Sequence, residues 1–385
     1  MIAAPALAVP AWSAGVRRPR VRLLQAALFA FFVFDGYAVP GLPVPIPGAD
    51  LAAIVLVALG AFRVRERFLG PTAWYVPLWV LLVAYLALES WVNEVDWFRR
   101  AVRLGIMVVL SVQLGTGRLD LRSGLLGLLT GLGANAVLFY LRLAPDTYSG
   151  VLTGFLGDKN VAGLYYALVP LLALPFIRSR RRRVGLLVFA SGLTYLTGSR
   201  TSIAALALAG LWVLLRKRLP TILHVPVLGG LYLADRYAEE NFANALFSDR
   251  EGSDLLRSRI GEAASEKAAS APPYGLGLGQ ATVEMDNRSW FFHDSFLALY
   301  VEGGWVALLV VVGLFAVLGL PLFTAPSRRP HLAFEAGTVV VMTCASKLGE
   351  VFLSLPAFLL LGCLLMAHAL RGSPEPTAVA AGEPA

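Results

Sequence analysis

The chain has 385 residues, of which 57% are hydrophobic and only 15% charged, and it carries a formal charge of +8. Apolar runs near 20 residues match the hydrocarbon core of a bilayer at 1.5 Å rise per residue, so a soluble globular enzyme is excluded. The basic residues lie in short clusters between these runs, a pattern of membrane orientation and not of a nucleic-acid-reading face. Lipid offers the backbone no hydrogen-bond partners, and unbroken apolar runs select helices over a barrel. The predicted fold is all-α: a polytopic transmembrane bundle.

Taken in chain order, a basic N-terminal segment occupies 1–21, and its first apolar run, lacking a clear cleavage site, reads as a retained span. Apolar intervals delimited by Gly, Pro and charge then give about twelve spans, nine of them within 22–234. They lie near 22–40, 49–62, 72–90, 100–116, 123–143, 161–177, 184–198, 201–215 and 219–234. An extracytoplasmic loop of about sixty residues follows over 235–294. It contains a polar stretch (ADRYAEENFANALF), a basic one (LLRSRIGEAASEKAA) and PPYGLGLGQ, and is expected to hold one or two short amphipathic helices. Three more spans fall in 295–371, near 295–323, 332–348 and 352–370, before an Ala-, Pro- and Glu-rich tail over 372–385, expected to be disordered. With both termini cytoplasmic, every second loop is basic, and twenty of the 33 basic residues but only five of the 25 acidic ones fall inside.

Cys344 and Cys363 sit inside apolar runs and form no zinc spacing. Neither a D-x-D pair, an H-E-x-x-H nor a Walker loop is present, so neither a metal-ion site nor a cofactor is expected.

Four outward features carry polar chemistry. GDKN at 157–160 opens the sixth span, with Asp158 and Asn160 as good helix caps and Lys159 between them. TGSRTS sets Arg200 at a tight turn between spans, where it would also serve to cap carbonyls or snorkel to headgroups. Arg257 and Arg259 lie in the long loop, where a solvated face is the simpler role for either alone. WFFHDSFLALYVEGGW places His293 and Asp294 at the start of a span and Glu302 about two turns further in. A carboxylate there is costly without a partner. Together, guanidinium forks beside a histidine suit a pyrophosphate leaving group and an attacking hydroxyl.

In order and spacing, GDKNVAG, TGSRTSIAALALAGL, SRIGEAASEKAASAPPYGLGLGQ and HDSFLALYVEGGWVALLVVVGL resemble the O-antigen ligase and polymerase superfamily of bacterial membrane proteins, over roughly residues 150–320. Two departures stand out: Asp294 occupies a position where that family commonly has Asn, and the loop helix lacks its usual Trp. The resemblance implies a GT-C-like fold in the bacterial plasma membrane and metal-independent glycan transfer on the extracytoplasmic face. The donor would be a polyprenyl-pyrophosphate-linked glycan and the acceptor a glycan, a lipid or a protein. His293 would activate the acceptor, Arg200 and Arg259 would contact the donor pyrophosphate, and the choice between Arg257 and Arg259 stays open. Arg257, Asp158, Lys159, Asn160, Asp294 and Glu302 complete the candidate site. The alternative is a polytopic transporter or flippase of lipid-linked or envelope glycan, against which stand the absence of an internal repeat and the gathering of polar residues on one face.

Overall fold

The computed structural model describes residues 21–372 apart from 42, 44, 217, 225, 231, 232, 234–250 and 321–330. The basic N-terminal segment, the polar stretch over 234–247 and the tail beyond Gly372 therefore lie outside the described residues.

The chain is predominantly helical. Helices α1 (Leu23–Ala30), α2 (Gly48–Ala61), α3 (Tyr75–Val92), α4 (Phe98–Gly115), α5 (Leu121–Tyr140), α6 (Lys159–Ala173), α7 (Arg180–Leu196) and α8 (Arg200–Arg216) precede the long loop. Within that loop runs α9 (Glu251–Ser270); after it come α10 (Ser295–Gly319), α11 (Leu332–Ala345) and α12 (Leu355–Gly372). Eleven of the predicted apolar intervals thus hold a helix. Of the interval near 219–234, a short 3-10 turn at Thr221–Leu223 and a helical stretch at 226–230 are described.

Among the described residues four helices, Gly70–Val92, Leu121–Tyr140, Lys159–Phe176 and Ser295–Gly319, are long and apolar enough to cross a membrane. Several others are shorter, such as α2 with 14 residues, or begin in charge, as α7 does with Arg180–Arg183. Burial marks the environment as clearly as length does. Only 28% of the most apolar stretch of Gly70–Val92 is buried, and it turns Val80 and Leu81 outward at 61% and 69% exposure. Water penalises so much exposed aliphatic surface and a bilayer does not, so the protein is membrane-associated.

Close helix contacts come from small residues, since lipid supplies no hydrophobic drive between helices. On α5, Gly127 packs against α1 so tightly that a Cβ there would stand 2.0 Å from the Ala26 carbonyl oxygen. Helix α6 is the most enclosed of the four long helices, 78% buried, between α5, α7, α8 and α11.

Two features depart from a plain helix bundle. An antiparallel hairpin, β1 (Thr282–Met285) with β2 (Arg288–Phe291), follows α9, pairing Thr282 with Phe291 and Met285 with Arg288. Its two turn residues, Asp286 and Asn287, have φ of 52° and 60°, the left-handed pair of a type I′ turn. This hairpin is a small addition to a predominantly helical fold, which is compatible with the expected all-α class. The second feature is a break in α10 at Gly303 and Gly304, where the backbone leaves helical geometry. The segment after α9 fills that break. Leu276 N–H donates to the Val301 carbonyl at 2.7 Å, Gly277 N–H to that of Glu302 at 3.0 Å, and Trp305 N–H to that of Pro273 at 3.0 Å. Three backbone groups at the break thus find partners in protein, as membrane depth favours.

Candidate functional site

Chain direction brings the four polar features to one end of the bundle. Helices α6, α8 and α10 begin there, at Lys159, Arg200 and Ser295, and α7 ends there at Leu196. At the start of α10, Ser295 donates its hydroxyl to the Leu348 carbonyl and accepts from Val351 N–H at 3.0 Å, which fixes the end of α11 and the start of α12 at the same level.

Asp158 is the N-cap of α6, accepting from the backbone N–H of Asn160 at 2.7 Å and of Val161 at 3.0 Å. Its other oxygen accepts from the Tyr148 hydroxyl at 2.7 Å, and the Lys159 ammonium lies 5.4 Å from the centre of the Tyr148 ring. Burial first, and then the Asp158 carboxylate, push the Tyr148 phenol up to about 12 against the opposing charge of Arg257. Asn160 does not cap. It is already inside the helix, and its carbonyl oxygen accepts from the Ser199 hydroxyl at 3.3 Å, with Ser202 3.0 Å from Ser199. This bond joins the GDKN and GSR turns. The last glycine of GDKNVAG explains the approach: a Cβ on Gly163 would stand 2.5 Å from the Ser202 hydroxyl. Arg200, half-buried, follows Ser199 as the first residue of α8.

Asp294 repeats the Asp158 cap on α10, accepting from Phe296 N–H at 2.7 Å and Leu297 N–H at 3.0 Å. His293 precedes it, half-buried. Burial, and then the positive charge of Arg257, hold its imidazole below the ordinary histidine value, against the opposing carboxylate of Asp158. His293, Arg257, Asp158 and Tyr148 thus lie within electrostatic reach of one another.

Two candidates stand apart. Arg259 forms an ion pair with Asp286 at 3.6 Å on the hairpin turn, with both side chains more than half exposed. Glu302 sits at the α10 break, its carboxylate only 6% exposed, accepting from Gly279 N–H at 2.9 Å and paired with Arg100 at 3.3 Å. It holds the inserted segment in place and does not stand beside His293 in any contact.

The neighbourhood of that latch contains groups the sequence reading passed over. Arg100 also reaches Glu350 at 2.7 Å, and Arg103 pairs with Asp50 at 3.0 Å and Asp35 at 3.6 Å, while Tyr165 donates to Asp35 at 3.1 Å. These bonds tie α4 to three other parts of the chain. Arg200 was singled out as an arginine at the edge of a span, and Arg100 and Arg103 lie at the start of the predicted 100–116 span in the same way.

Beside the site lies a cavity of about 830 Å³ between α8, α10 and α11, roofed by α9. Its walls are largely apolar, including Leu208, Phe296, Tyr300 and Met342, with Ala268 above, and Asp294 is the charged residue on its lining. The arrangement joins an apolar cavity to a small polar site of histidine, arginine and carboxylate. Among the described residues no group of three or more His, Cys, Asp or Glu side chains is placed to hold a metal ion. No family profile matches the chain, and no characterised protein matches its sequence.

Proposed function

We propose that the protein is a membrane glycosyltransferase that moves or polymerises glycan from a polyprenyl-pyrophosphate donor onto a hydroxyl acceptor, on the extracytoplasmic face of a bacterial plasma membrane. The observation that carries this reading is His293, held toward its neutral form beside Arg257 and one residue from Asp294 on the lining of the apolar cavity. The cavity gives a prenyl chain an apolar berth next to polar groups that suit the pyrophosphate and the attacking hydroxyl. The finer architecture belongs to the same proposal: about twelve spans in a GT-C-like arrangement, with 1–21 and 372–385 cytoplasmic and 235–294 outside.

In this mechanism the acceptor hydroxyl oxygen attacks the anomeric carbon and the bond from that carbon to the pyrophosphate oxygen breaks with inversion. The imidazole of His293 takes the hydroxyl proton. Arg200, with Arg257 as the loop arginine, stabilises the charge gathering on the leaving polyprenyl pyrophosphate. Lys159 adds positive charge to the same wall. A depressed pKa keeps His293 unprotonated, and so able to accept a proton, at neutral pH. Neither a cofactor nor a metal ion takes part in this scheme.

Transport is the competing reading, because broken helices at membrane depth are common in transporters. Here the break at Gly303 and Gly304 is plugged by the segment from Pro273 to Gly279 and latched by Glu302 and Arg100, which argues for a fixed support. With purified protein and a lipid-linked donor, His293→Ala is expected to lower transfer by roughly 10²–10⁴-fold, the usual range for a general base. Unchanged transfer would sink the assignment.

A further inference from the structure

The opposite end of the bundle holds a second cluster of charge. Helix α8 runs over 17 residues from Arg200 at the site to Arg216, which places Arg216 about 24 Å away. Helix α11 runs toward the site, so His331 and Glu335 at its start lie at the far end. The start of α7 and the end of α12 bring Arg183 and Arg371 to the same corner.

Several of these groups lie beneath the surface. Glu335 is fully buried and pairs with Arg216 at 2.5 Å, and the Arg216 side chain is 10% exposed. Arg183 is 6% exposed. Its Nε donates to the Ile177 carbonyl at 2.5 Å, but its Nη2 is buried without a hydrogen-bond partner among the described residues. A buried guanidinium N–H left unsatisfied is costly, so such a group calls for an acceptor. His331 supplies a second donor. Its Nδ1 accepts from Ala333 N–H at 3.1 Å, so the neutral ring carries its proton on Nε2. Burial, and then Arg183, Arg371 and Arg216, hold that ring down to about 4, so it stays neutral at physiological pH.

We infer that this corner is a phosphate-binding site, with the Arg183 guanidinium as its principal donor and an anionic phospholipid headgroup as its ligand. A guanidinium fork matches phosphate oxygens, which fill two acceptor positions at once. The lipid source follows from α7 itself, which turns Val184 and Val188 outward, at 52% and 68% exposure, one residue and five residues beyond Arg183. An acyl chain lying on that face sets its headgroup at the start of the helix. The site lies outside the glycan-transfer machinery and does not depend on it.

The test uses the full chain purified in mild detergent, offered phosphatidylglycerol, phosphatidylcholine or inorganic phosphate, with bound lipid read by native mass spectrometry and stability by thermal unfolding. Phosphatidylglycerol is expected to be retained and to raise the melting temperature, while phosphatidylcholine does neither. In Arg183→Gln, retention of phosphatidylglycerol is expected to fall about tenfold. Stabilisation by inorganic phosphate as large as that by phosphatidylglycerol supports the phosphate site and assigns it to the free ion. Equal retention of the two lipids with no effect of phosphate overturns the proposal, as does a folded Arg183→Gln protein that keeps phosphatidylglycerol like the wild type. Should Arg183→Gln fail to fold, the comparison of lipids on the wild-type chain decides alone.

Discussion

At the scale of single residues, the pH dependence of His293 is the sharpest consequence. Its pKa is lowered, so the neutral base persists to more acid pH than an ordinary histidine allows. The acid limb of kcat/KM is therefore expected to have its midpoint below 6.5. Removing the Arg257 charge with Arg257→Gln should move that midpoint upward, because a positive neighbour favours the neutral ring. Asp158→Asn, which keeps a capping side chain but loses the charge, should move it further down. Shifts in the same direction for both variants would break the electrostatic account. The two loop arginines should also separate. Arg257→Ala is expected to cut transfer more than tenfold, and Arg259→Ala to leave it near the wild-type rate, because its exposed pairing with Asp286 contributes little. Sequence alone could not choose between them. Two positions apart on α9 they point about 200° from each other, and only the packing of that helix decides which one faces His293. The cap at Asp158 was legible, because an N-cap is a local bond two or three residues long. The role of Asn160 was not, since its partner Ser199 lies 39 residues away.

At the scale of elements, a tight joint lies between α6 and the start of α8. Gly163→Ala would put a methyl group 2.5 Å from the Ser202 hydroxyl and 2.7 Å from the Ser199 Cβ, an overpacking expected to cost roughly 1–3 kcal/mol. Thermal unfolding in detergent checks this, and Ser202→Gly should recover part of the loss. A wild-type melting temperature in Gly163→Ala would show that the joint has slack. The break in α10 is tighter still. Gly304 has φ near 60°, and a Cβ there would meet the Pro273 carbonyl at 2.0 Å. Gly304→Ala is thus expected to expel the 273–279 segment, read as faster proteolysis of the loop between α9 and α10. The hairpin had a readable signal in Asp286 and Asn287, a pair suited to a type I′ turn, but it lay in a loop where only helices were expected. Glu302 was singled out correctly as a costly buried carboxylate. Its partner Arg100, however, lies 202 positions away, so the sequence left open whether it served a ligand or a latch.

At the scale of the whole molecule, apolar runs made the helical, membrane-associated character legible, since hydrocarbon thickness acts on composition directly. The gathering of GDKN, GSR and HD at one end also follows from helix order. The cavity beside Asp294 does not, because its walls come from α8, α10 and α11 with α9 above, and their packing is not encoded in any one segment. The account's central claim is that this end of the bundle makes a covalent bond, with His293 accepting the proton. The most direct test reconstitutes the chain in liposomes with a polyprenyl-pyrophosphate-linked glycan and a hydroxyl acceptor, then measures glycosylated acceptor, released polyprenyl pyrophosphate and donor flux together. The expected result is equimolar glycosylated acceptor and polyprenyl pyrophosphate from the wild type, and neither above background from His293→Ala. Donor crossing the bilayer with no covalent product would contradict it.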